Sequence, residues 1–299
     1  MDVRHLQLLR DLAVHGSVTA VAAATHRTPS AVSQQLRVAQ RVLGAELTVA
    51  DGRGLRLTEA GALLAECAVE VDTALARAQA RWDAHRGATS GTVRIAALPS
   101  AATFLLPGVL AGLAGSGVEV TCDDVDVAEH EYALLAASHD IVIAHSLAGP
   151  TPAGAEHLAT TLLVREPLDI AMAATHRLAA RAQVVPEDLV DESWVAVPPG
   201  YPFEVVLQRI AAHTGCDLRI SQRVRDNRLV EALVAGGDQV AVLPRFTTPS
   251  GTGVVLRPLV GVAAQRSIVA VMQPDRAERL VVLRVLKALL AAGRRAGRS

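Results

Sequence analysis

Apolar residues at Leu6, Leu9, Leu12 and Ala13 recur at helical spacing and predict an amphipathic helix over residues 2–14, closing before Gly16. Ser17 is a good N-cap for the alanine-rich run Val18 to Ala24, whose small side chains let another helix approach closely. After a turn at Thr25-His26-Arg27, Thr28 stands as N-cap with Pro29 at the first helical position, where its missing N–H costs nothing. A third helix follows over Ser30 to about Val42, and two short helices joined by a tight turn make a helix-turn-helix. Leu47 and Leu55-Arg56-Leu57 flank the turn Asp51-Gly52-Arg53-Gly54 and predict a small β-hairpin, or wing. From Thr58 onward Ala60, Leu64, Cys67, Val71, Ala74 and Ala78 step alternately by four and three, and Trp82 extends the stripe. That is a coiled-coil seam, which one helix cannot bury, so it predicts a homodimer; packing within its own chain is the alternative.

Beyond residue 90 the pattern changes. Gly91 to Ile95 reads as a strand after a Thr89-Ser90-Gly91 hinge, and Leu105-Leu106-Pro107 opens a helix. Strands are predicted at Val118 to Cys122, His139 to Ile143, Asp169 to Ala173, Trp194 to Val197, Arg219 to Val224 and Val240 to Leu243. Strands alternating with helices read as an open α/β architecture.

The chain's 299 residues suggest two or three domains, at roughly 100 to 200 residues each. No run of 18 or more apolar residues occurs, and the N-terminus lacks a signal-peptide apolar core, so no membrane partner and a cytoplasmic location are expected. Cys67, Cys122 and Cys216 lie far apart without a CxxC pair, which predicts reduced structural thiols. The net charge is only −1, so any nucleic-acid surface must be local. One such stretch exists: residues 27–56 hold five arginines (27, 37, 41, 53, 56) against Glu46 and Asp51.

On the third predicted helix Val32, Leu36 and Ala39 share one face, with Ser30, Ser33, Gln34 and Arg37 opposite. Glutamine can pair with adenine in the major groove, serine with either kind of base, and arginine with guanine or a phosphate. Arg53 at the wing tip is placed to reach a neighbouring minor groove or the backbone. A plain amphipathic helix with a solvated face is the alternative. No HExxH, GxSxG or GxxxxGK[ST] motif occurs, the ten histidines show no ligand spacing, and no catalytic residue, metal or cofactor is expected. The acidic cluster Asp123, Asp124, Asp126, Glu129 and Glu131 reads as a solvated surface.

The blocks Ser17 to Ala24, Thr28 to Leu36, Leu43 to Leu47 and Leu57 to Gly61 resemble the winged helix-turn-helix of the LysR-type transcriptional regulators, at the family's relative spacing and without gaps. Departures stand at Thr25, Ala39-Gln40, Thr48 and Ala50, and at Gly237-Asp238-Gln239, where the family has G-x-G. The resemblance implies an α+β multidomain chain. It would have a winged helix-turn-helix at 1–61, a linker and dimerisation helix at 58–87, and an effector domain at 91–299. That last domain would be two-lobed, α/β and periplasmic-binding-protein-like, with lobe one at 91–161 and 268–299 and lobe two at 162–267. The DNA-facing residues it implies are Ser17, Thr28, Pro29, Ser30, Ser33, Gln34, Arg37 and Arg53. It implies an unidentified small-molecule effector in the interlobe cleft. Ser100, Ala101 and Thr103 would stand on one side, at a helix start that favours a carboxylate or another anion. Gly200, Tyr201, Phe203, Asp226 and Asn227 would face them. The expected partners are a palindromic double-stranded operator and a second copy, with dimers pairing into tetramers. A solute-binding protein with a non-functional DNA head is the alternative.

Overall fold

A computed structural model describes residues 2–52, 54–87, 90–249, 251 and 253–297. The chain forms two compact units, residues 1–88 with 274–280, and residues 89–273 with 281–299.

In the first unit α1 spans Val3–His15, α2 Val18–Ala24 and α3 Pro29–Leu43. Each start is set by a side-chain cap: Asp2 accepts from the Arg4 N–H, Ser17 from that of Ala20 and Thr28 from that of Ala31. Gly16 and Gly44 end α1 and α3 in the left-handed region, at φ 69° and 68°. The wing follows as β1 (Thr48–Asp51) paired antiparallel with β2 (Gly54–Leu57), and then the long helix α4 (Glu59–His85). Leu9, Leu12, Val21, Val32, Leu36, Ala39 and Leu47 form the core between these elements. Ala65 of α4 joins them. A Cβ on Gly61 would lie 2.1 Å from the Leu47 carbonyl oxygen, so only glycine lets α4 come this close.

The predicted seam of α4 divides. Ala60 and Leu64 pack on the unit's own core, and the buried face beside them is Gly61, Ala65 and Ala68. One turn on, Asp72 accepts from Gln7 at 2.9 Å and from Arg10 at 2.6 Å, so this half of α4 is committed to α1. Ala74, Ala78 and Trp82 remain exposed.

The second unit opens with β3 (Gly91–Ala97), α5 (Pro99–Leu113), β4 (Val118–Asp124), α6 (Tyr132–Leu135) and β5 (Ile141–Ser146). There follow β6 (Ala159–Ala173), β7 (Ser193–Ala196), α7 (Glu204–Thr214), β8 (Arg219–Arg223) and α8 (Asn227–Gly236). The unit continues with β9 (Ala241–Pro244), β10 (Val254–Arg257) and β11 (Gln265–Met272). The short α9 (Pro274–Ala277) belongs to the first unit, and α10 (Leu280–Ala296) ends the described chain.

A seven-stranded sheet runs β10-β6-β11-β5-β3-β4, with β9 also on β6, and β7 pairs β8 separately. The order follows from burial. β5 is buried along its whole length, as a strand parallel to β3 and covered on both faces must be. The 15-residue β6 pairs with β11 over residues 159–167 and with β9 and β10 over 168–173, so one strand serves two cores. One core gathers Tyr132, Ala136, Val142, Ala144, Val269 and Val271. The other gathers Leu168, Ile170, Met172, Trp194, Phe203 and Val206.

Three sequence expectations change. The helix predicted to open at Leu105 starts at Pro99, where proline suits the first turn, and carries Pro107 inside it. The strand predicted at His139 to Ile143 begins at Ile141. The strand at Asp169 to Ala173 is only the second half of β6, because Glu166 and Pro167 interrupt the apolar pattern without interrupting the strand.

Candidate DNA-reading helix and buried polar cluster

Helix α3 turns Val32, Leu36 and Ala39 into the core, which leaves Ser30, Gln34 and Arg37 exposed at i, i+4 and i+7 on the opposite face, with Ser33 half-buried beside them. Thr28 and Pro29 are exposed at the helix start, where Thr28 both caps the backbone and meets the Ser30 hydroxyl at 3.0 Å. Ser17 is half-buried and its hydroxyl is used in capping α2. Gln35 points elsewhere: its amide donates to the Arg4 carbonyl at 2.8 Å, locking α3 to α1. Gln34 is therefore the free amide next to it, facing solvent with the donor and acceptor pair that adenine recognition needs. Arg53 lies outside the described residues.

In the second unit the crossing of β6 and β11 brings Glu166 and Arg266 into direct register. Both are buried, at 0% and 1% exposure. Arg266 donates to Glu166 Oε2 from Nε at 2.8 Å, with Nη2 2.6 Å from the same oxygen. Its Nη2 also reaches Ser100 Oγ at 2.9 Å, and its Nη1 lies 3.3 Å from His145 Nδ1. Glu166 Oε1 accepts from the Phe246 N–H at 2.8 Å. Such a pair holds together only because nearly every lone pair and proton has a partner.

Aromatic rings surround it. Phe203 lies 5.3 Å from the guanidinium and edge-on to His145 at 5.9 Å; Tyr132 is also edge-on to His145, at 5.9 Å. Phe246 meets Phe104 at 5.7 Å. Tyr201 accepts from Arg225 at 2.9 Å and is close enough to raise the Tyr132 pKa. The whole chain has three Phe, two Tyr and two Trp, so every Phe and Tyr lies in or beside this cluster. Burial, reinforced by the Arg266 charge, holds His145 well below the usual histidine range, and burial pushes the Tyr132 phenol far up. Both groups are neutral at physiological pH.

Of the effector-site residues read from sequence, Ser100 and Phe203 fall in this cluster, with Tyr201 beside it. Ala101 is buried. Thr103 is exposed and its hydroxyl bonds back to the Pro99 carbonyl at 2.9 Å, so it turns onto its own helix. Gly200, at φ 84°, donates to Glu204 at 2.9 Å. Asp226 caps α8 through the Arg228 and Leu229 N–H groups, and Asn227 is that helix's first residue. At the start of α5, where an anion is expected, several groups of the first turn are already engaged. Pro99 has no N–H, Ala101 donates to Leu98, and the Ser100 hydroxyl is already held by Arg266. Sequence reasoning missed Tyr132, His145, Glu166, Arg266, Phe104 and Phe246, although the scarcity of aromatics was a signal that could have flagged three of them.

The three cysteines are free, and Cys122 has its thiol pushed up by burial and by Asp123 and Asp124. Among the described residues no three His, Cys, Asp or Glu side chains group as metal ligands, and no helix is long and apolar enough to cross a membrane.

A winged helix-turn-helix followed by a separate α/β unit with a polar, aromatic-lined centre is the build of a DNA-binding regulator with a sensory domain. Comparison with known proteins gives the family. Residues 3–62 match the bacterial regulatory helix-turn-helix protein, lysR family, and residues 86–294 match the LysR substrate binding domain. The transcriptional dual regulator GltC of Bacillus subtilis (strain 168) is 26% identical over 253 residues, covering 83% of this chain and 82% of GltC. A cysteine variant of full-length OxyR from Pseudomonas aeruginosa is similar in fold, with a TM-score of 0.64 at 18% identity, over 98% of this chain and 95% of that one. Full-length CbnR in complex with its target DNA gives a TM-score of 0.54 at 19% identity, over 98% and 100% of the two chains. The chain belongs to the LysR family: it is a DNA-binding transcriptional regulator with an effector-binding domain.

Proposed function

We propose that Ser30, Ser33, Gln34 and Arg37 read base edges in the major groove of a palindromic operator, with Ser17, Thr28, Pro29 and Arg53 against the backbone or minor groove. A small molecule held at the Glu166–Arg266 cluster would regulate that binding. The observation that carries the second half is the convergence of every Phe and Tyr of an aromatic-poor chain on one buried ion pair. A ligand that binds one arrangement of the α/β unit more tightly than another shifts the population toward it, by no more than that difference in affinity. A homodimer would cover the exposed stripe of α4 at Ala74, Ala78 and Trp82, and set two copies of α3 about one helical turn apart, roughly 34 to 36 Å. Pairing of dimers into a tetramer, a cytoplasmic location and the absence of catalysis belong to the same reading. Thiol oxidation as the signal is disfavoured, since the environment of Cys122 opposes the reactive thiolate.

Fluorescence anisotropy with the DNA upstream of the protein's own gene, against scrambled duplex across a salt series, tests the DNA half. Tight binding confined to the upstream duplex, with a steep salt slope, is expected. Equal weak binding to both would refute it for that site and favour a ligand-binding protein.

A further inference from the structure

We infer that the buried cluster takes an uncharged, flat molecule that presents a hydrogen-bond acceptor to Tyr132 and His145, and that it disfavours an anion. The inference rests on the reading of this cluster as the effector site.

Its first leg is the count of donors. A guanidinium only donates, so where Arg266 Nη1 meets His145 Nδ1 at 3.3 Å that nitrogen must be unprotonated. The one proton of the neutral ring therefore sits on Nε2. Among the described residues that N–H has no partner, and neither has the Tyr132 hydroxyl on the adjoining ring, 5.9 Å away between centroids. The two residues are only 6% and 1% exposed. Two groups able to donate, on adjoining rings of nearly buried residues and without a partner among the described residues, offer a place to an acceptor from outside the chain.

Charge is the second leg. The cation at the centre of the cluster, Arg266, is neutralised by Glu166 at 2.6 Å. A carboxylate entering here would add a buried charge beside Glu166 without a counter-ion, which costs far more than burying a neutral carbonyl that is hydrogen-bonded. In the first turn of α5 the Ser100 hydroxyl is engaged by Arg266 and the Ala101 N–H by the Leu98 carbonyl. Nearby, burial and the charge of Asp226 push the Asp126 carboxyl up against the opposing pull of Arg225. The third leg is shape. Phe203 and Tyr132 both stand edge-on to His145, and such aromatic rings pack best against a flat, aromatic ligand.

Benzamide and benzoate make a matched probe pair, with the same ring and either a neutral amide or a carboxylate. Full-length protein labelled with ¹⁵N-histidine is titrated with each, and the His145 Nε2 resonance is assigned by its loss in His145→Gln. Benzamide is expected to shift that resonance to saturation, and benzoate to bind at least about tenfold more weakly. Tyr132→Phe keeps the ring but removes the hydroxyl, and should weaken benzamide by about tenfold, the worth of one good hydrogen bond. Glu166→Gln exposes the Arg266 charge and should turn the preference toward benzoate. If that variant fails to fold, the Tyr132→Phe result still decides. Tighter binding of benzoate at His145 in the wild type overturns the ligand class while leaving an effector site in place. No movement of the resonance with benzamide up to its solubility limit overturns both.

Discussion

Replacing Arg266 by methionine removes one member of a pair whose partner, Glu166, is at 0% exposure. The loss has three parts. Two charge-assisted contacts to Glu166 vanish, at 2.8 and 2.6 Å, together with the bond to Ser100 at 2.9 Å and the cation–π contact with Phe203. Methionine fills much of the volume, so the cavity cost is small and the uncompensated carboxylate dominates. Breaking a buried pair from one side costs about 3–5 kcal/mol. For a unit of this size, with about 2–4 °C lost per kcal/mol, the melting temperature should fall by roughly 6–20 °C. Glu166→Gln should cost a similar amount from the other side. The double variant should recover most of either loss, because a neutral pair of similar volume needs no counter-charge; the interaction energy should exceed about 2 kcal/mol. The fluorescence of Trp194, fully buried in the same unit, reports this transition in denaturant. Additive single losses, or an Arg266→Met variant within about 1 kcal/mol of wild type, would refute the argument that the charges depend on each other.

Three further outcomes are expected. Gly61→Ala pushes a methyl to 2.1 Å from the Leu47 carbonyl oxygen and should cost the first unit about 1–3 kcal/mol, read by thermal melting. His145 binds a proton more readily unfolded than folded, so it contributes stability at neutral pH that is lost as pH falls below about 6.5. The stability gap between pH 7.5 and 5.5 should therefore be smaller in His145→Gln than in wild type, and an unchanged gap would contradict a neutral His145. Thr103→Val should leave benzamide affinity unchanged, since the hydroxyl it removes serves only the Pro99 carbonyl, and an altered affinity in the same titration would place Thr103 in the site.

The DNA-reading head was legible because its determinants are local. Ser17, Thr28 with Pro29, Gly16 and Gly44 each act on neighbours within four residues, and the buried face of α3 repeats at helical spacing. The polar cluster was not legible for the opposite reason. Ser100, Tyr132, His145, Glu166, Phe203, Phe246 and Arg266 meet only through the register of β6 against β11 and the packing of elements far apart in sequence. Hydrophobic periodicity decides which face of a strand is buried, but does not name the distant strand that it pairs with. Arg165, Glu166 and Pro167 read as a polar interruption, so the strand that holds the cluster together was only half seen. The anion expected at α5 came from the general behaviour of helix N-termini, which says nothing of the bond from Arg266, 166 residues away, to the Ser100 hydroxyl.

The central claim is that the exposed face of α3 reads DNA sequence through Gln34. Selection from a randomised duplex library with full-length wild type and with Gln34→Ala tests it directly. The wild type should enrich a two-fold symmetric site with half-sites about one helical turn apart. The variant should lose preference at one symmetric base position, by about 1–3 kcal/mol, and keep the rest. An identical motif from both proteins, or no enrichment by the wild type, would contradict it.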